Sequence, residues 1–327
     1  MKKVAIGVDI GGTNTAIGVV DDLGNVMVKG NIVTPSHGDI DRYINDLSQA
    51  IRELIKSVKL LNTDIEILGI GIGAPNGNYY TGTIEYAANL SFRGVVHLVD
   101  LLKNQFSDIP AIALTNDANA AAIGEMIYGG AKGMKNFVMY TLGTGVGSGI
   151  VVNGDLVYGH DGFAGECGHT VLIPEGRMCG CGTPGHLEAY CSAPGMKRTA
   201  FELLVKYNAN DSLLADKSFQ ELDAKMIYDA AEKGDKVALE VFELTGKWLG
   251  QGLADTVHYL SPEAIFLFGG PTAAGDYIFR PTKQSMEQFL LPIYKNKIKI
   301  LPSQLKPGDA AIVGASALVY KELEKAK

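Results

Sequence analysis

The sequence has few cysteines, no excess of positive charge and no long apolar run, and each shortage excludes a class of protein. Only four of the 327 residues are cysteine, and all lie between residues 167 and 191, which excludes a disulfide framework spread over a small secreted chain. Lys and Arg number 29 against 36 Asp and Glu, so the net charge is −7 and we expect no nucleic-acid partner. No apolar run reaches the roughly 18 residues of a membrane span, so we expect no membrane partner.

The first residues, MKKVAIGVDIGG, lack the features of an export signal. Asp9 interrupts the apolar run, and no small-residue cleavage pattern follows. We therefore expect a cytoplasmic protein. A length of 327 residues with 46% hydrophobic and 20% charged side chains indicates a globular chain that is long enough for two domains.

Short apolar runs alternate with helical patterns along the sequence, which predicts an α/β fold. The strands predicted outside residues 135–188 are 3–10, 16–22, 26–33, 65–75, 109–117, 263–271 and 297–301. The predicted helices are 39–60, 95–106, 118–129, most of 193–260, 273–292 and 309–326. We expect the last of these helices to pack back on the first domain.

The opening segment is repeated 131 residues further along the chain. Gly12-Thr13, four residues and Gly18-Val19-Val20 match Gly143-Thr144, four residues and Gly149-Ile150-Val151. Glycine lets backbone N–H groups approach an anion closely, so two such turns predict two similar halves that enclose the phosphates of a nucleotide. Asp9 stands at the end of the first strand and is predicted to hold a cation through water. For the first turn alone, an ordinary hairpin with a surface Asp is an equal alternative.

Two further strand ends carry candidate site residues. Asn116-Asp117 ends a buried strand and precedes an alanine-rich helix. Asp117 therefore either caps that helix or faces a ligand at the carboxyl end of a parallel strand. Gly269-Gly270 ends another buried strand and suits an adenine or ribose lying on backbone, although an ordinary turn between strand and helix is the alternative.

Four residues of the metal-ligand type lie within 18 positions, with the spacing H-x9-C-x-C-x4-H. They are His169, Cys179, Cys181 and His186. Two thiolates and two imidazoles satisfy tetrahedral zinc, and four protein ligands make the site structural. The alternative is a pair of free buried thiols with unrelated histidines.

The remaining two cysteines, Cys167 and Cys191, are predicted to be packed thiols. Glu166 and Glu188 flank the zinc pattern. Together with His169 they are candidate ligands for sugar hydroxyls, because carboxylates and imidazole can accept and donate hydrogen bonds in a pocket. The alternative for both glutamates is ordinary surface exposure.

Taken together, these motifs resemble those of the ROK family (repressors, open reading frames and kinases), within the sugar kinase–hsp70–actin fold. The resemblance covers nearly the full length, with motifs matching in order at DIGGT (9–13), GAPN (73–76), TNDANAAA (115–122), LGTGVGSGI (142–150), AGECGH (164–169), CGCGTPGHLE (179–188) and FGGP (268–271). It implies a two-lobe actin-like, ribonuclease H-like ATPase fold with a repeated βββαβα core in each lobe. The smaller lobe would comprise 1–116 plus about 311–327, and the larger lobe 117–310 would contain the zinc. The active site would lie in the cleft between them.

The resemblance also implies an activity and a set of roles. The activity is ATP-dependent and Mg²⁺-dependent phosphorylation of a hexose, with glucose at its 6-hydroxyl as the substrate and a homodimer as the assembly. Asp117 would be the base. The implied sugar-binding residues are Asn89, Asn116, Asp117, Glu166, His169 and Glu188. The implied nucleotide-binding and phosphate-binding residues are Asp9, Gly11, Gly12, Thr13, Gly143, Thr144, Gly145, Gly269 and Gly270. One position departs from the family pattern, since the last zinc ligand is commonly Cys and here is His186.

Several alternatives remain open at the level of sequence. An N-acetylhexosamine kinase, acting on N-acetylmannosamine or N-acetylglucosamine, fits the same carboxylates and histidine, and a fructokinase is a further possibility within the enzyme class. A sugar-sensing repressor of the same family would need a helix-turn-helix domain ahead of the kinase-like part. The phosphate strand begins at residue 3 and a basic face is missing, so we do not expect a repressor. The zinc motif and Asn116-Asp117 argue against an actin-like or chaperone-like ATPase.

Overall fold

The computed structural model describes residues 1–36, 38–62 and 64–325, and in these ranges it contains three β-sheets and nine α-helices. The strands are β1 Lys2–Ile10, β2 Asn14–Asp21, β3 Val26–Val33, β4 Ile65–Ala74, β5 Gly77–Asn78, β6 Thr83–Glu85, β7 Val95–Val96, β8 Ala111–Asn116, β9 Phe137–Leu142, β10 Val146–Val152, β11 Asp155–Leu156, β12 Ala264–Phe268 and β13 Lys299–Pro302. The helices are α1 Ile40–Leu61, α2 Leu98–Gln105, α3 Asp117–Tyr128, α4 Glu188–Cys191, α5 Ala193–Tyr207, α6 Ala224–Glu232, α7 Lys236–Leu260, α8 Asp276–Phe289 and α9 Ala310–Lys325.

The two five-stranded sheets have the same topology. Their strand orders are β3-β2-β1-β4-β8 and β11-β10-β9-β12-β13. In each sheet the first three strands form an antiparallel meander, and the last two run parallel to the first strand of that meander. The structure therefore confirms the internal repeat and the α/β fold in two similar halves.

The first strand shows how the alternation of side chains divides the first sheet into two faces. Val4, Ile6 and Val8 join α1 and α2 in one apolar cluster, as expected when alternate residues of a strand point to opposite faces. On the other face a Cβ at Gly7 would collide with the Ile312 carbonyl of α9. Because Gly7 has no side chain, α9 can lie directly on the sheet at this point. The closing helix therefore packs against the first sheet, as predicted.

Two helices connect the sheets to each other. Helix α9 packs on β1 and β4 and also against α3. Helix α3 in turn covers one face of the second sheet, where Ala121 and Ala122 pack against Phe137, Met139 and Phe266. The long helix α7 covers the opposite face of that sheet. The α3–α9 pair thus lies between the two sheets and fixes where their strand ends meet.

A small third sheet, of order β5-β6-β7, has no counterpart in the sequence predictions. Its strands have only two or three residues, which is too short for an alternating pattern. It also shortens the helix predicted for 95–106, because Val95–Val96 are a strand and α2 begins at Leu98. In the part of the chain that the structure covers, no helix combines the length and apolarity needed to cross a membrane.

Candidate active site

A cleft of about 450 Å³ lies where strands of both five-stranded sheets end. Its lining includes the glycine turn between β1 and β2 and the matching turn between β9 and β10. All but one of the residues predicted to bind sugar or nucleotide line this cavity, namely Asp9, Gly11, Gly12, Asn89, Asn116, Asp117, Gly143, Thr144, Gly145, Glu166, His169, Glu188, Gly269 and Gly270. The exception is Thr13, which is exposed beside the cavity and accepts a backbone hydrogen bond from Thr34 (2.9 Å).

Asp117 is the first residue of α3, and the preceding residue, Asn116, is the N-cap of that helix. The Asn116 side chain accepts a 2.8 Å hydrogen bond from the Ala118 N–H, and Asn116 has the extended backbone of an N-cap. The alternative reading of Asp117 as the N-cap is therefore wrong. Asp117 Oδ1 accepts from the same N–H at 2.8 Å, which leaves the second carboxylate oxygen for a substrate. One side of Asp117 is open to the cleft. Protein atoms surround the rest of the side chain, and this desolvation raises its pKa.

Asp9 and Asp117 face the same part of the cleft. Gly73 of β4 separates them, since a Cβ on it would lie 3.6 Å from the Asp117 Cα and 3.9 Å from Asp9 Oδ1. Burial raises the pKa of Asp9 to about 6, and the negative charge of Asp117 adds to the effect. Two partly desolvated carboxylates at the edge of a glycine turn are oxygen donors of the kind that Mg²⁺ prefers.

Glu166, His169 and Glu188 form another part of the cleft wall. His169 Nε2 lies 3.9 Å from Glu166 Oε2. Burial raises the pKa of Glu166, the charges of Asp117 and Glu188 raise it further, and His169 opposes them. The Glu188 carboxylate is held from two sides, by the Val146 N–H (3.1 Å) and the Cys179 thiol (3.1 Å). These polar groups converge on one space and can accept and donate hydrogen bonds to several hydroxyls.

The glycine turn between β1 and β2 lies against the loop that contains Asn89. A Cβ on Gly12 would lie 2.6 Å from the Asn89 carbonyl oxygen, so only glycine allows this approach. Asn89 itself is exposed to the cleft. The turn and the candidate sugar ligand are therefore positioned by the same backbone contact.

The part of the cleft that the sequence predicts to bind the nucleotide is built from backbone. Gly269 has a φ of 114°, and a side chain there would collide with the Leu142 carbonyl at the end of β9. In the glycine turn between β9 and β10, the Gly143 N–H donates to the Gly145 carbonyl (2.9 Å), and the Ala193 N–H donates to the Gly143 carbonyl (2.8 Å). This rigid, side-chain-poor surface leaves room for a phosphate chain and a flat base.

The four residues of the predicted zinc set come together in space. One ligand atom from each of His169, Cys179, Cys181 and His186 lies within 4.8 Å of the other three. Two thiols and two imidazoles at this spacing fit the donor set of a tetrahedral zinc ion. His169 Nδ1 faces the set, at 3.3 Å from His186 Nδ1, while its Nε2 faces Glu166. One imidazole thus belongs to both the metal-ligand set and the wall of the cleft.

Cys167 and Cys191 lie outside this set, as predicted. Both are free thiols that belong to the apolar cluster over α7. Cys191 is fully buried, and its Sγ lies 3.7 Å from the Thr245 carbonyl oxygen.

Several cleft residues were not identified from the sequence. Pro75 and Asn76 line the cavity at the end of β4, and Ile10, Thr141 and Phe268 line it at other strand ends. Asn76 has a φ of 51°, and its amide donates to the Glu85 carbonyl (2.9 Å). The GAPN motif could have identified Pro75 and Asn76 as cleft residues, because it ends a buried strand, as Asn116-Asp117 does.

Two repeated sheets with a glycine turn from each facing one cleft define a two-lobe α/β ATPase fold of the actin and ribonuclease H type. A family model described as "ROK family" matches residues 5–322. The chain belongs to the ROK family.

Similar proteins agree with this assignment. The chain is 35% identical to a glucokinase of Halalkalibacterium halodurans (97% of this chain, 95% of that protein). It is 32% identical to a glucokinase of Thermotoga maritima (98% and 99%). Among solved structures, a ROK family glucokinase from Streptomyces griseus in complex with glucose and AMPPNP superposes with a TM-score of 0.80 at 32% identity, covering 97% of this chain and 99% of that one.

Proposed function

We propose that the protein is an ATP-dependent hexokinase, and specifically a glucokinase that phosphorylates the 6-hydroxyl of glucose. The observation that supports this most is the position of Asp117. It lies in one cleft with backbone phosphate turns from both sheets and with the carboxylate and imidazole wall of Glu166, His169 and Glu188. The similarity over the full chain to proteins named glucokinase supports the choice of glucose.

In the proposed reaction, the glucose 6-hydroxyl oxygen attacks the γ-phosphorus of ATP, and the bond from that phosphorus to the ADP oxygen breaks. Asp117 accepts the hydroxyl proton, for which its raised pKa is suited. Asn89, Asn116, Glu166, His169 and Glu188 are the proposed sugar ligands. Such ligands act by holding the acceptor oxygen in line with the phosphate.

On the nucleotide side, we propose that Gly11, Gly12, Thr13, Gly143, Thr144 and Gly145 border the phosphates and that Gly269 and Gly270 border the adenosine. Asp9 would hold Mg²⁺ through water, and the ion would neutralise charge on the transferring phosphoryl group. Zinc held by His169, Cys179, Cys181 and His186 would be structural, since four protein ligands leave no position for water. Its proposed role is to fix His169 in the cleft wall.

The proposal includes an organisation for the whole molecule. The smaller lobe is 1–116 with about 311–327, the larger lobe is 117–310, and the active site lies between them. Location in the cytoplasm and assembly as a homodimer are part of the proposal and rest on the sequence and the family resemblance. Light scattering on a sizing column tests the homodimer directly.

A coupled assay of ADP release against a panel of sugars tests the activity. We expect glucose to give the highest kcat/KM. A preference for N-acetylmannosamine or N-acetylglucosamine would support the alternative, an N-acetylhexosamine kinase, which the same cleft residues fit. Fructose as the best substrate would indicate a fructokinase. Sugar binding without any turnover would indicate a sugar-sensing regulator and overturn the kinase proposal.

A further inference from the structure

Glu166 lies at the centre of a tight backbone turn. Its φ of −78° and ψ of 54° are those of an inverse γ-turn. The Cys167 N–H donates to the Gly165 carbonyl (2.9 Å), which closes the turn around Glu166. The His169 N–H then donates to the Glu166 carbonyl (3.0 Å), and the short 3₁₀ helix Cys167–His169 follows. The backbone conformation of Glu166 therefore sets the direction in which its carboxylate enters the cleft.

A single side chain from the second sheet holds both ends of this turn. Ser148 Oγ of β10 donates a hydrogen bond to the Gly165 carbonyl and accepts one from the Cys167 N–H (3.1 Å). A hydroxyl has one proton to donate and two lone pairs to accept with, so both hydrogen bonds can exist at once. The residues before and after Glu166 are thereby attached to one oxygen atom of a central strand.

The surroundings of Ser148 show that its hydroxyl is directed at this turn. On one face of β10, Gly147 and Gly149 have no side chain and leave room for α3. Ser148 points to the other face, where Val146 and Ile150 belong to the apolar cluster packed against α7. Ser148 is only 5% exposed. A buried hydroxyl among apolar side chains is unfavourable unless it is hydrogen-bonded, and the turn supplies both a donor and an acceptor.

We propose that Ser148 is a positioning residue for the sugar-binding carboxylate of Glu166. This inference rests on the proposed function, because it needs Glu166 as a ligand of glucose. Ser148 does not line the cleft, so it acts on the sugar through Glu166. When the hydroxyl is present, the turn has its binding conformation before the sugar arrives, and less ordering is needed on binding. Without the hydroxyl, the carboxylate has to be ordered by the sugar itself, and the affinity for glucose falls.

The first experiment compares the KM for glucose with the KM for ATP in variants at Ser148. Ser148→Ala and Ser148→Gly both remove the hydroxyl. We expect each to raise the KM for glucose about three- to tenfold, because a hydrogen-bonding group is lost, and to leave the KM for ATP unchanged. Thermal melting recorded on the same samples shows that the variants are folded.

The matched control is Ser285→Ala. Ser285 is also 5% exposed, and its Oγ donates to the Lys247 carbonyl (2.6 Å) where α8 packs on α7. This variant loses a buried hydrogen bond of the same kind away from the cleft, so it should change neither KM. If the hydroxyl-free variants at Ser148 keep the KM for glucose, or change both KM values alike, the positioning role is overturned and the proposed function stands.

A double-mutant cycle tests whether Ser148 acts through Glu166. Glu166→Ala alone should raise the KM for glucose, and adding Ser148→Ala should raise it no further, because the carboxylate to be positioned is already gone. Additive effects of the two substitutions would overturn the positioning role alone. A normal KM for glucose in Glu166→Ala would remove Glu166 from the proposed sugar ligands and overturn this inference with it. Absence of turnover of any sugar by the wild-type protein would overturn the proposed function.

Discussion

At the scale of single residues, the Asp117 carboxylate is held by the backbone of its own helix. Its Oδ1 accepts from the Ala118 N–H, and its pKa is raised by desolvation. We expect Asp117→Ala to lower kcat by about 10²–10⁴, because that is the usual contribution of a general base. Glucose binding, followed by calorimetry, should survive, since the wall of Glu166, His169 and Glu188 is unchanged. Normal turnover in this variant would contradict the assignment of the base.

The raised pKa of Asp9 can be tested through the pH dependence of stability in the protein without nucleotide. Its pKa is raised to about 6 in the folded state, so its protonated form stabilises the fold. That contribution is complete below the pKa of the unfolded chain, near 4, and is lost as the pH rises through about 6. We therefore expect Asp9→Asn to raise the melting temperature, by more at pH 8 than at pH 5, while activity with Mg-ATP falls.

The control for this effect is Asp64→Asn, at a surface carboxylate that pairs with the N-terminal amine (2.9 Å). Asp64→Asn should not raise the melting temperature by more at pH 8 than at pH 5. A lower melting temperature of Asp9→Asn at pH 8 would show that the Asp9 charge is compensated in the folded protein.

The assignment of the helix cap is a matter of single residues that the sequence could not decide. Asn and Asp are both good N-caps, and here they are adjacent. Only the backbone conformation of Asn116, with ψ of 148°, shows which of them precedes the helix. The grouping of the four predicted zinc ligands was easier to identify, because they lie close in sequence as well as in space.

At the scale of elements, the segment 166–188 contains the metal-ligand set and part of the cleft wall. Metal analysis of the purified protein should find about one zinc per chain. His186→Ala should lower that content and raise the KM for glucose, because His169 would lose its fixed orientation. His186→Cys is the matched variant and should retain zinc, since thiolate is an equivalent ligand. A folded protein that is fully active without zinc would contradict the structural role.

The glycine turn between β1 and β2 is a second element that can be tested. Gly12→Ala places a methyl group 2.6 Å from the Asn89 carbonyl oxygen, so the turn or the Asn89 loop has to move. We expect kcat/KM for ATP to fall by about 10-fold or more, because a displacement of 1 Å can cost 10²-fold. Gly30→Ala in β3 is the control, since its added methyl group would meet only Leu54 at 3.8 Å.

Elements with a long periodic pattern were predicted well, and those that depend on distant partners were not. The apolar spacing of α1 and the run of β4 identify both elements from local sequence. The sheet β5-β6-β7 escaped prediction because its pairing is set by contacts with other segments, such as the Asn78 amide that donates to the Asp161 carbonyl (2.8 Å). The position of Asn76 in the cleft was missed for a similar reason, since its hydrogen-bond partner Glu85 is nine residues away in β6.

At the scale of the whole molecule, the cleft lies between two sheets joined through α3 and α9. Closure of such a cleft on the substrate would exclude water and complete the site. We expect the radius of gyration in X-ray scattering to decrease when glucose is added. The Asp117→Ala variant should show the same decrease, because it retains the sugar ligands. An unchanged radius in both proteins would indicate that the cleft is already closed.

Much of this architecture was accessible from sequence because the chain repeats itself. The match between residues 12–20 and 143–151 predicted two similar halves, and both sheets have the same strand order. What the repeat could not give is the position of one half relative to the other. That depends on how α3 and α9 pack, where Ile123 meets Ala317 and Leu318 in a cluster of small and branched side chains.

The position of α9 has a consequence for how the protein is made in the cell. The strand that it covers, β1, leaves the ribosome about 300 residues before α9. Until Ile312 and Val319 are available, the face of the first sheet around Gly7 and Ala5 has no covering helix. The amino-terminal half therefore cannot complete its packing before α9 is synthesised, and a nascent chain interrupted before residue 310 exposes apolar strand surface to chaperones and proteases.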